Sequence, residues 1–298
     1  MKPSFRRSLT GICFVLPWLI GLCTFTLYPV IASLYYSFCD YSVLESPVWI
    51  GGENYARLVH DGAFWLSLEN TLIYAGFSIP IGMVVALSLA LLLNCRVRGT
   101  AIFRTIFYLP SIVPIIASSM LWLWILNPSF GLVNQALAPF CHLFGVQPPG
   151  WLSDPAWAKP ALILMSAWGV GNSMIIYLAG LQDVPETLYE AAEIDGASKW
   201  QQFWYVTLPM LMPVVYFNLV MGIIGALQVF TQVFIMTDGT NGAPAQSTLM
   251  YAPYLFATAF FDLRMGYASA LAWVLFCIIA LLTLLATKAM KEKINQVR

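Results

Sequence analysis

The chain has 298 residues, no net formal charge, and a composition that is 60% hydrophobic and only 9% charged. Soluble domains carry roughly 25% charged residues, and a soluble chain of this length could not bury so much apolar surface. Lipid must therefore surround much of it. The balanced charge excludes a strongly basic nucleic-acid-binding surface. The six cysteines show no CxxC or Cys/His spacing of the kind that binds a metal.

Six uncharged runs are long enough to cross a bilayer as helices, which takes about 20 residues. A charge near the bilayer centre costs about 2.5 to 3.5 kcal/mol, so the absence of charge from all six is informative. The runs predict an all-α membrane protein, a single transmembrane domain over residues 1–298. Its six transmembrane helices span residues of about 9–38, 71–93, 105–126, 160–182, 209–237 and 265–287. The uncharged stretches 127–153 and 239–261 contain Pro, Gly, Asn and Gln, and we interpret them as outer loops with short interfacial helices.

The distribution of Lys and Arg predicts the orientation of these helices, because cytoplasmic loops are enriched in both. The side that holds the two termini carries eleven basic residues, and the other side carries three. Both termini are therefore predicted to be cytoplasmic. On this topology Cys39 and Cys141 fall in outer loops, where a disulfide between them is possible. The eleven are Lys2, Arg6, Arg7, Arg96, Arg98, Arg104, Lys199, Lys288, Lys291, Lys293 and Arg298.

An acidic segment between the fourth and fifth runs, residues 183–208, is predicted to form a cytoplasmic hairpin of two short helices. Asp183 and Glu186 have the spacing of a capping box for the first helix, and Ser198 and Gln201 have it for the second. Gly196 follows the first helix and suits the left-handed conformation that ends helices. Small residues near the turn, with acids around them, favour insertion of the hairpin into a cleft of another protein.

The spacing within this hairpin carries a resemblance. Glu190-Ala191-Ala192 is followed by three residues and Gly196, then by nine residues and Val206, and after one more by Leu208-Pro209. This arrangement resembles the EAA signature of the membrane subunits of binding-protein-dependent ABC importers, with Val206 in place of Ile as the one departure. The remainder of the chain is similar to the six-span sugar permeases of the maltose and glycerol-3-phosphate type. The segments that carry this similarity include WIGGENYARLV, RTIFYLPSIVP, FGLVNQAL, WLSDPAWA and MTDGTNGAP.

The resemblance implies a type I ABC importer permease fold in a bacterial or archaeal plasma membrane. It implies that the hairpin is a coupling helix docked on a cytoplasmic ATPase dimer. It also implies that the chain pairs with a second permease subunit, as a heterodimer, and receives its solute from an extracytoplasmic binding protein. No cofactor is expected in this chain: it lacks a GxxxxGK[ST] phosphate loop, so the ATPase subunits would bind ATP and magnesium. The residues assigned to ATPase coupling are Glu190, Ala191, Ala192, Asp195 and Gly196.

The predicted substrate path uses neutral polar and aromatic residues, because sugars bind by stacking on aromatic faces and by hydroxyl hydrogen bonds. The resemblance places sugar contacts midway along the spans that flank the hairpin. By position these are Trp168, Gly169, Asn172, Gly225 and Gln228. Asn218 and Gln232 are further polar residues of the same spans, and every one of these side chains could instead make an interhelical hydrogen bond.

Three alternatives remain open. The same machinery could carry glycerol-3-phosphate or a polyol; phosphate would favour a basic residue near the outer mouth, where only Arg57, Lys159 and Arg264 are available. An ion-coupled carrier predicts charges within the spans and repeated halves, and the sequence has neither. A membrane-embedded enzyme would need a polar catalytic cluster, and no Ser/His/Asp set or metal-spaced His supports one.

Overall fold

The fold follows from the demand that backbone polar groups in lipid be satisfied within the chain, which favours helices. The computed structural model describes residues 5–95, 99–237 and 239–295, and most of them are helical. Lys2, Arg96, Arg98 and Arg298, which contribute to the predicted orientation, lie outside the described residues.

The first part of the chain contains four helices and one small sheet. Helices α1 and α2 are joined by a π-helical turn, Cys23–Leu27, into one continuous segment. Strands β1 and β2 pair antiparallel, with Cys39 opposite Trp49 and Asp40 opposite Val48. The bounds are α1 Phe5–Leu22, α2 Tyr28–Ser37, β1 Cys39–Asp40, β2 Val48–Trp49, α3 Glu53–His60 and α4 Gly62–Asn94.

The remaining helices are mostly shorter and follow one another closely. A second π-helical turn, Phe203–Thr207, lies between α11 and α12. The bounds are α5 Thr100–Ile112, α6 Ile115–Ile125, α7 Leu132–Leu143, α8 Pro155–Trp168, α9 Gly171–Gln182, α10 Glu186–Ile194, α11 Lys199–Gln202, α12 Leu208–Met210, α13 Met212–Leu227, α14 Thr231–Met236, α15 Tyr251–Phe260 and α16 Met265–Asn295.

Three segments of the described chain are single helices long and apolar enough to cross a membrane, namely Ile12–Ser37, Gly62–Asn94 and Met265–Lys291. Three helix pairs pass the same test together but are bent at a short break: α5 with α6 by 98°, α8 with α9 by 46°, and Lys199–Met210 with α13 by 65°. If each bent pair is one span, the total is the predicted six. At the sharpest bend Pro114 precedes α6; its ring prevents the preceding residue from continuing α5.

Two helix boundaries differ from the predicted spans. Helix α4 begins at Gly62 rather than near residue 71, because an exposed charge at Glu69 does not interrupt backbone hydrogen bonding. The predicted run 209–237 is divided: α13 ends at Leu227, and residues 228–230 leave the helical conformation before α14 begins. The run carries no charge, and its prolines, Pro209 and Pro213, lie well before residue 228, so the sequence gives no sign of this break. The predicted loops 127–153 and 239–261 contain the short helices α7 and α15.

The chain divides into two compact units, Met1–Asp61 with Leu255–Phe276 and Gly62–Tyr254 with Cys277–Arg298. In the first unit Asn54 is buried, and its Nδ2 donates to the carbonyls of Ser37 (3.0 Å) and Cys39 (2.8 Å). The Gly266 N–H donates to the Tyr41 carbonyl at 3.0 Å. These bonds satisfy the backbone where α2 ends and the small sheet begins. Cys39 and Cys141, the two cysteines considered for a disulfide, are both free thiols.

In the second unit α4 packs against α8, α9 and α13. Ala86 and Ala90, four residues apart on α4, are fully buried, and such small residues let transmembrane helices approach closely. They belong to an apolar cluster with Leu93 of α4, Leu211, and α9 residues Met174, Tyr177, Leu178 and Leu181. A second cluster, which includes Tyr74, Trp122 and Val233, lies where α6 and α14 pack together.

The close backbone approach at Gly266 gives a stability prediction. A Cβ at this position would lie 2.1 Å from the Cys39 carbonyl oxygen, and neither backbone can give way easily. Gly266→Ala should therefore destabilise the protein by about 1 to 3 kcal/mol, as overpacking does. Thermal unfolding in detergent should show a lower Tm.

Gly76→Ala is the matched control, since Gly76 is also helical and a Cβ there meets nothing within 4 Å. Alanine favours a helix by up to about 1 kcal/mol over glycine, so this variant should unfold at the wild-type temperature or above. A Gly266→Ala protein as stable as Gly76→Ala would contradict the proposed close contact.

Candidate functional site

The first candidate site is a cavity of about 790 Å³ in the second unit, lined by residues of α4, α5, α6, α8, α9, α13 and α14. Its volume falls in the range of small-molecule sites, about 300 to 1,000 Å³. All its lining residues are uncharged. The polar and large aromatic side chains among them are Tyr74, Ser78, Ser111, Ser118, Ser166, Trp168, Asn172, Ser173, Asn218, Gln228, Phe230, Thr231 and Gln232.

The cavity lies where helices are interrupted. Val113, at the break between α5 and α6, and Gly169, at the break between α8 and α9, both line it, as do residues 228–230 between α13 and α14. Non-helical backbone at membrane depth is tolerated where it is buried in protein or lines a polar cavity. Here Ser111 Oγ donates to the Gly169 carbonyl at 3.2 Å, so the neighbouring helix satisfies one of the freed groups. The broken helices thus form a polar lining.

All five residues predicted for the substrate path line this one cavity: Trp168, Gly169, Asn172, Gly225 and Gln228. Each is exposed, and a Cβ at Gly225 would meet nothing within 4 Å. The Trp168 ring contacts Trp122 edge to face, with centroids 5.9 Å apart. Such a contact orients the indole and leaves part of it open to the cavity.

The amides around the cavity fall into two groups. Within the described chain, the side chains of Asn172 and Gln228 are exposed and make no hydrogen bond. Asn218 is buried and donates to the Val214 carbonyl at 3.0 Å, and Gln232 Nε2 donates to the Tyr74 hydroxyl at 2.8 Å. Asn172 and Gln228 therefore have donors and acceptors available for a solute, whereas the Asn218 amide bonds within α13 and the Gln232 amide joins α14 to α4.

Tyr74 and Ser78 of α4 are cavity residues that were not predicted from the sequence. They are four residues apart, so they lie on one helix face, and both line the cavity. Ser78 is 8% exposed, and its Oγ has no hydrogen-bond partner among the described residues. The spacing was visible in the sequence, but serines are common at transmembrane helix contacts and do not by themselves indicate a ligand site.

The second candidate feature is the predicted hairpin, formed by α10 and α11. Gly196 has φ +77° and ends α10 as predicted. The capping box of Ser198 and Gln201 is present: the Ser198 N–H donates to Gln201 Oε1 at 2.8 Å, and the Gln201 N–H donates to Ser198 Oγ at 3.3 Å. The turn and the start of α11 are therefore fixed by local bonds.

The predicted capping box at Asp183 is wrong. Helix α9 continues to Gln182, and Asp183 closes it by donating its N–H to the Ala179 carbonyl. The extended residue before α10 is Pro185, which makes no side-chain cap. Proline disfavours helix at the residue before it, so α10 begins only after Pro185, and Asp183 is too far upstream to cap it.

The five predicted coupling residues lie together on this hairpin. Glu190, Ala191 and Ala192 are on α10, Asp195 is the residue that caps its C-terminal end, and Gly196 forms the turn. Glu193 pairs with Lys199 across the turn, and this hydrogen bond and charge lower the pKa of the Glu193 carboxyl. Both side chains are exposed, so the pair adds little stability.

The hairpin also exposes large apolar side chains. Ile194 is 87% exposed and Trp200 69%. The Trp200 ring packs on Phe203 and Trp204, with centroids 6.0 Å and 5.6 Å away. A clustered, exposed apolar surface on a segment rich in charge is typical of a protein–protein contact.

Comparison with known proteins places these features in a family. Residues 78–291 match the family described as "Binding-protein-dependent transport system inner membrane component". The chain is 41% identical to the probable ABC transporter permease protein YesP of Bacillus subtilis, covering 96% of this chain and 92% of YesP. It is 37% identical to the lactose transport system permease protein LacF of Rhizobium radiobacter, covering 98% of each. It is 34% identical to the trehalose/maltose transport system permease protein MalF of Thermococcus litoralis, covering 84% of each.

A solved structure supports the same placement. The chain superposes on a subunit of a bacterial ABC transporter that imports the acidic polysaccharide alginate, with a TM-score of 0.83, 25% identity and 97% coverage of both chains. The same transporter has been solved with a periplasmic protein that holds an alginate pentasaccharide. The predicted resemblance and the predicted type I ABC importer permease fold are confirmed. The chain belongs to the family of inner-membrane components of binding-protein-dependent transport systems.

Proposed function

We propose that this chain is the membrane-spanning permease subunit of an ATP-driven importer for a sugar or oligosaccharide. An extracytoplasmic binding protein delivers the solute, which crosses the membrane by alternating access. The cavity carries this proposal: its exposed amides, hydroxyls and Trp168 are the groups that bind sugars, by hydrogen bonding and by stacking. The lactose and trehalose/maltose permeases among its relatives support the same solute class.

The hairpin is the proposed connection to the energy source. Its exposed Ile194 and Trp200 offer apolar contact area to the groove of a cytoplasmic ATPase subunit, and its small Ala191 and Ala192 allow close insertion. ATP and magnesium are bound by the ATPase dimer, since this sequence has no GxxxxGK[ST] loop. ATP-driven closure of that dimer would move the hairpin and the helices joined to it.

The orientation and the assembly complete the proposal. Both termini and the hairpin face the cytoplasm of a bacterial or archaeal cell, in accordance with the excess of Lys and Arg on that side. A second permease subunit pairs with this chain as a heterodimer. In that arrangement the cavity forms one half of the solute path.

Glycerol-3-phosphate or another anionic solute is a second candidate, and the cavity disfavours it. A phosphate that leaves water needs cationic partners or several charge-assisted hydrogen bonds. No charged side chain lines this cavity. Lys159, one of the three basic residues predicted on the outer side, is engaged with Asn70 Oδ1 at 2.7 Å. An uncharged polyol remains compatible with the same lining.

The first prediction concerns the two exposed amides of the cavity. Asn172→Ala and Gln228→Ala should each raise the transport KM by about two- to tenfold, because each removes a hydrogen bond to the solute. The measurement is uptake by the complete importer reconstituted in vesicles with its binding protein, using lactose, trehalose, maltose and arabino-oligosaccharides as probes.

Asn94→Ala provides the control for these variants. Asn94 is exposed at the end of α4 and does not line the cavity, so its loss should leave KM unchanged. Wild-type KM in both cavity variants would refute the assignment of Asn172 and Gln228 to the path.

The second prediction concerns the hairpin. Gly196→Glu and Ala192→Trp should abolish ATP-driven uptake, because either change places a large side chain on the surface proposed to enter the ATPase groove. The amount of permease in the membrane should stay at the wild-type level. Co-purification of the ATPase should decrease.

Gly99→Glu is the matched control for Gly196→Glu. Gly99 also has a positive φ, +90°, lies in open space and falls on the predicted cytoplasmic side, but outside the hairpin. It imposes the same kind of backbone strain and the same charge, and uptake should continue. Normal uptake by the two hairpin variants would overturn the proposed docking.

A further inference from the structure

The first helix of the hairpin is tied to the π-helical turn by a hydrogen bond between side chains. The hydroxyls of Tyr189, on α10, and Thr207, the last residue of that turn, lie 2.9 Å apart. Thr207 is 5% exposed, and its Oγ1 also donates to the Gln202 carbonyl at 3.4 Å. Either hydroxyl can be the donor in this pair.

Gln202 connects the same turn to the tip of the hairpin. It is 4% exposed. Its Nε2 donates to the Ala197 carbonyl at 3.3 Å, and its Oε1 accepts from Lys199 Nζ at 3.2 Å. The turn after α10 is thus bonded to the side chain of one buried residue, Gln202, and the π-helical turn to its main-chain carbonyl. Buried networks whose members are all satisfied hold a single arrangement.

None of the residues of helix α10 is buried, so the helix packs lightly on the rest of the described chain. Its Glu193 pairs with Lys199 in water. One end of the helix continues into the extended residue Pro185, and the other into the Gly196 turn, which is fixed by local bonds. The hydroxyl pair of Tyr189 and Thr207 therefore supplies a fixed third point of attachment for α10.

Below Thr207 the chain is packed tightly on α9. Leu211, four residues further, is fully buried in the cluster with α9. A Cβ at Gly180 of α9 would lie 2.7 Å from Val214 Cγ2 and 3.0 Å from Leu211 Cδ2, so α9 and the start of α13 are in direct contact. At its other end α9 carries Asn172, which lines the cavity. A displacement of Thr207 is therefore transmitted through closely packed side chains to the helix that lines the cavity.

We infer that the hydrogen bond between Tyr189 and Thr207 is the strut that converts movement of the hairpin into movement of the cavity wall. Both are positioning residues. Without the bond the middle of α10 loses its attachment to the π-helical turn, so that closure of the ATPase moves the hairpin but transmits less of that movement to α9 and α13. This inference rests on the proposed docking of the hairpin on an ATPase.

The test uses Tyr189→Phe and Thr207→Val, each of which removes one hydroxyl and keeps the side-chain shape. The complete importer is purified through a tag on this chain and reconstituted with its binding protein. The probe is whichever of lactose, trehalose, maltose and arabino-oligosaccharides the wild-type importer takes up fastest. Solute transported per ATP hydrolysed should fall about two- to tenfold in either variant, the range expected for one hydrogen bond.

Three further readouts separate a strut from a general structural role. The KM for ATP and the amount of bound ATPase should match wild type, because the docking surface is unchanged. The double variant should be no worse than Thr207→Val alone, since that substitution already removes the bond to Tyr189. Thr207→Ser keeps the hydroxyl and should restore the transport ratio.

Tyr216→Phe is the matched control. Its hydroxyl lies 2.7 Å from that of Thr287, so this variant loses the same kind of bond, between α13 and α16. Its transport ratio should stay at the wild-type value. A wild-type ratio in Tyr189→Phe and Thr207→Val, or an equal loss in Tyr216→Phe, would overturn the strut. If the wild-type complex contains no ATPase or imports none of the probes, the proposed function fails as well.

Discussion

The hydrogen-bonding requirement of the backbone in lipid governs this structure. Where α5, α8 and α13 end, each leaves carbonyls and N–H groups that lipid cannot satisfy. These breaks lie around one cavity. There a serine hydroxyl satisfies one of the freed backbone groups, in the bond from Ser111 to the Gly169 carbonyl. The same interruptions of the membrane helices therefore create the polar lining that a hydroxyl-rich solute needs.

The cavity and the hairpin differ in the kind of polar group they carry. The cavity is lined by uncharged groups alone, so it offers hydrogen bonds without a fixed electrostatic preference. Charged side chains lie instead on the hairpin formed by α10 and α11, where Glu193 and Lys199 pair in water. Between the cavity and the hairpin, apolar packing at the buried Leu211 and at Gly180 joins α9 to α13. Such packing is stiff, and it lets a short hairpin act on a distant wall.

Particular residues show which expectations succeed. Ser198 and Gln201 formed the predicted capping box, and Gly196 the predicted turn, because both features depend on neighbours within a few positions. Asp183 failed as a cap because it closes α9, which ends at Gln182, and because Pro185 is the residue that precedes α10. The break after Leu227 was not predicted either, because an uncharged run has the same hydropathy whether its backbone is helical or not. Ser78 was missed because one serine on an apolar helix has no distinctive pattern.

The sequence by itself determined the membrane environment, the number of spans, the family and the hairpin, because these depend on composition, run length and local spacing. It also identified five residues that line the cavity, through their position relative to the hairpin. Only the tertiary structure decided which amides are available to a solute: Asn172 and Gln228 are exposed, whereas Asn218 and Gln232 are bonded within the wall. It alone brought Tyr189 to Thr207, 18 residues away. Pairings of this kind depend on how helices pack, and no local signal in the chain encodes them.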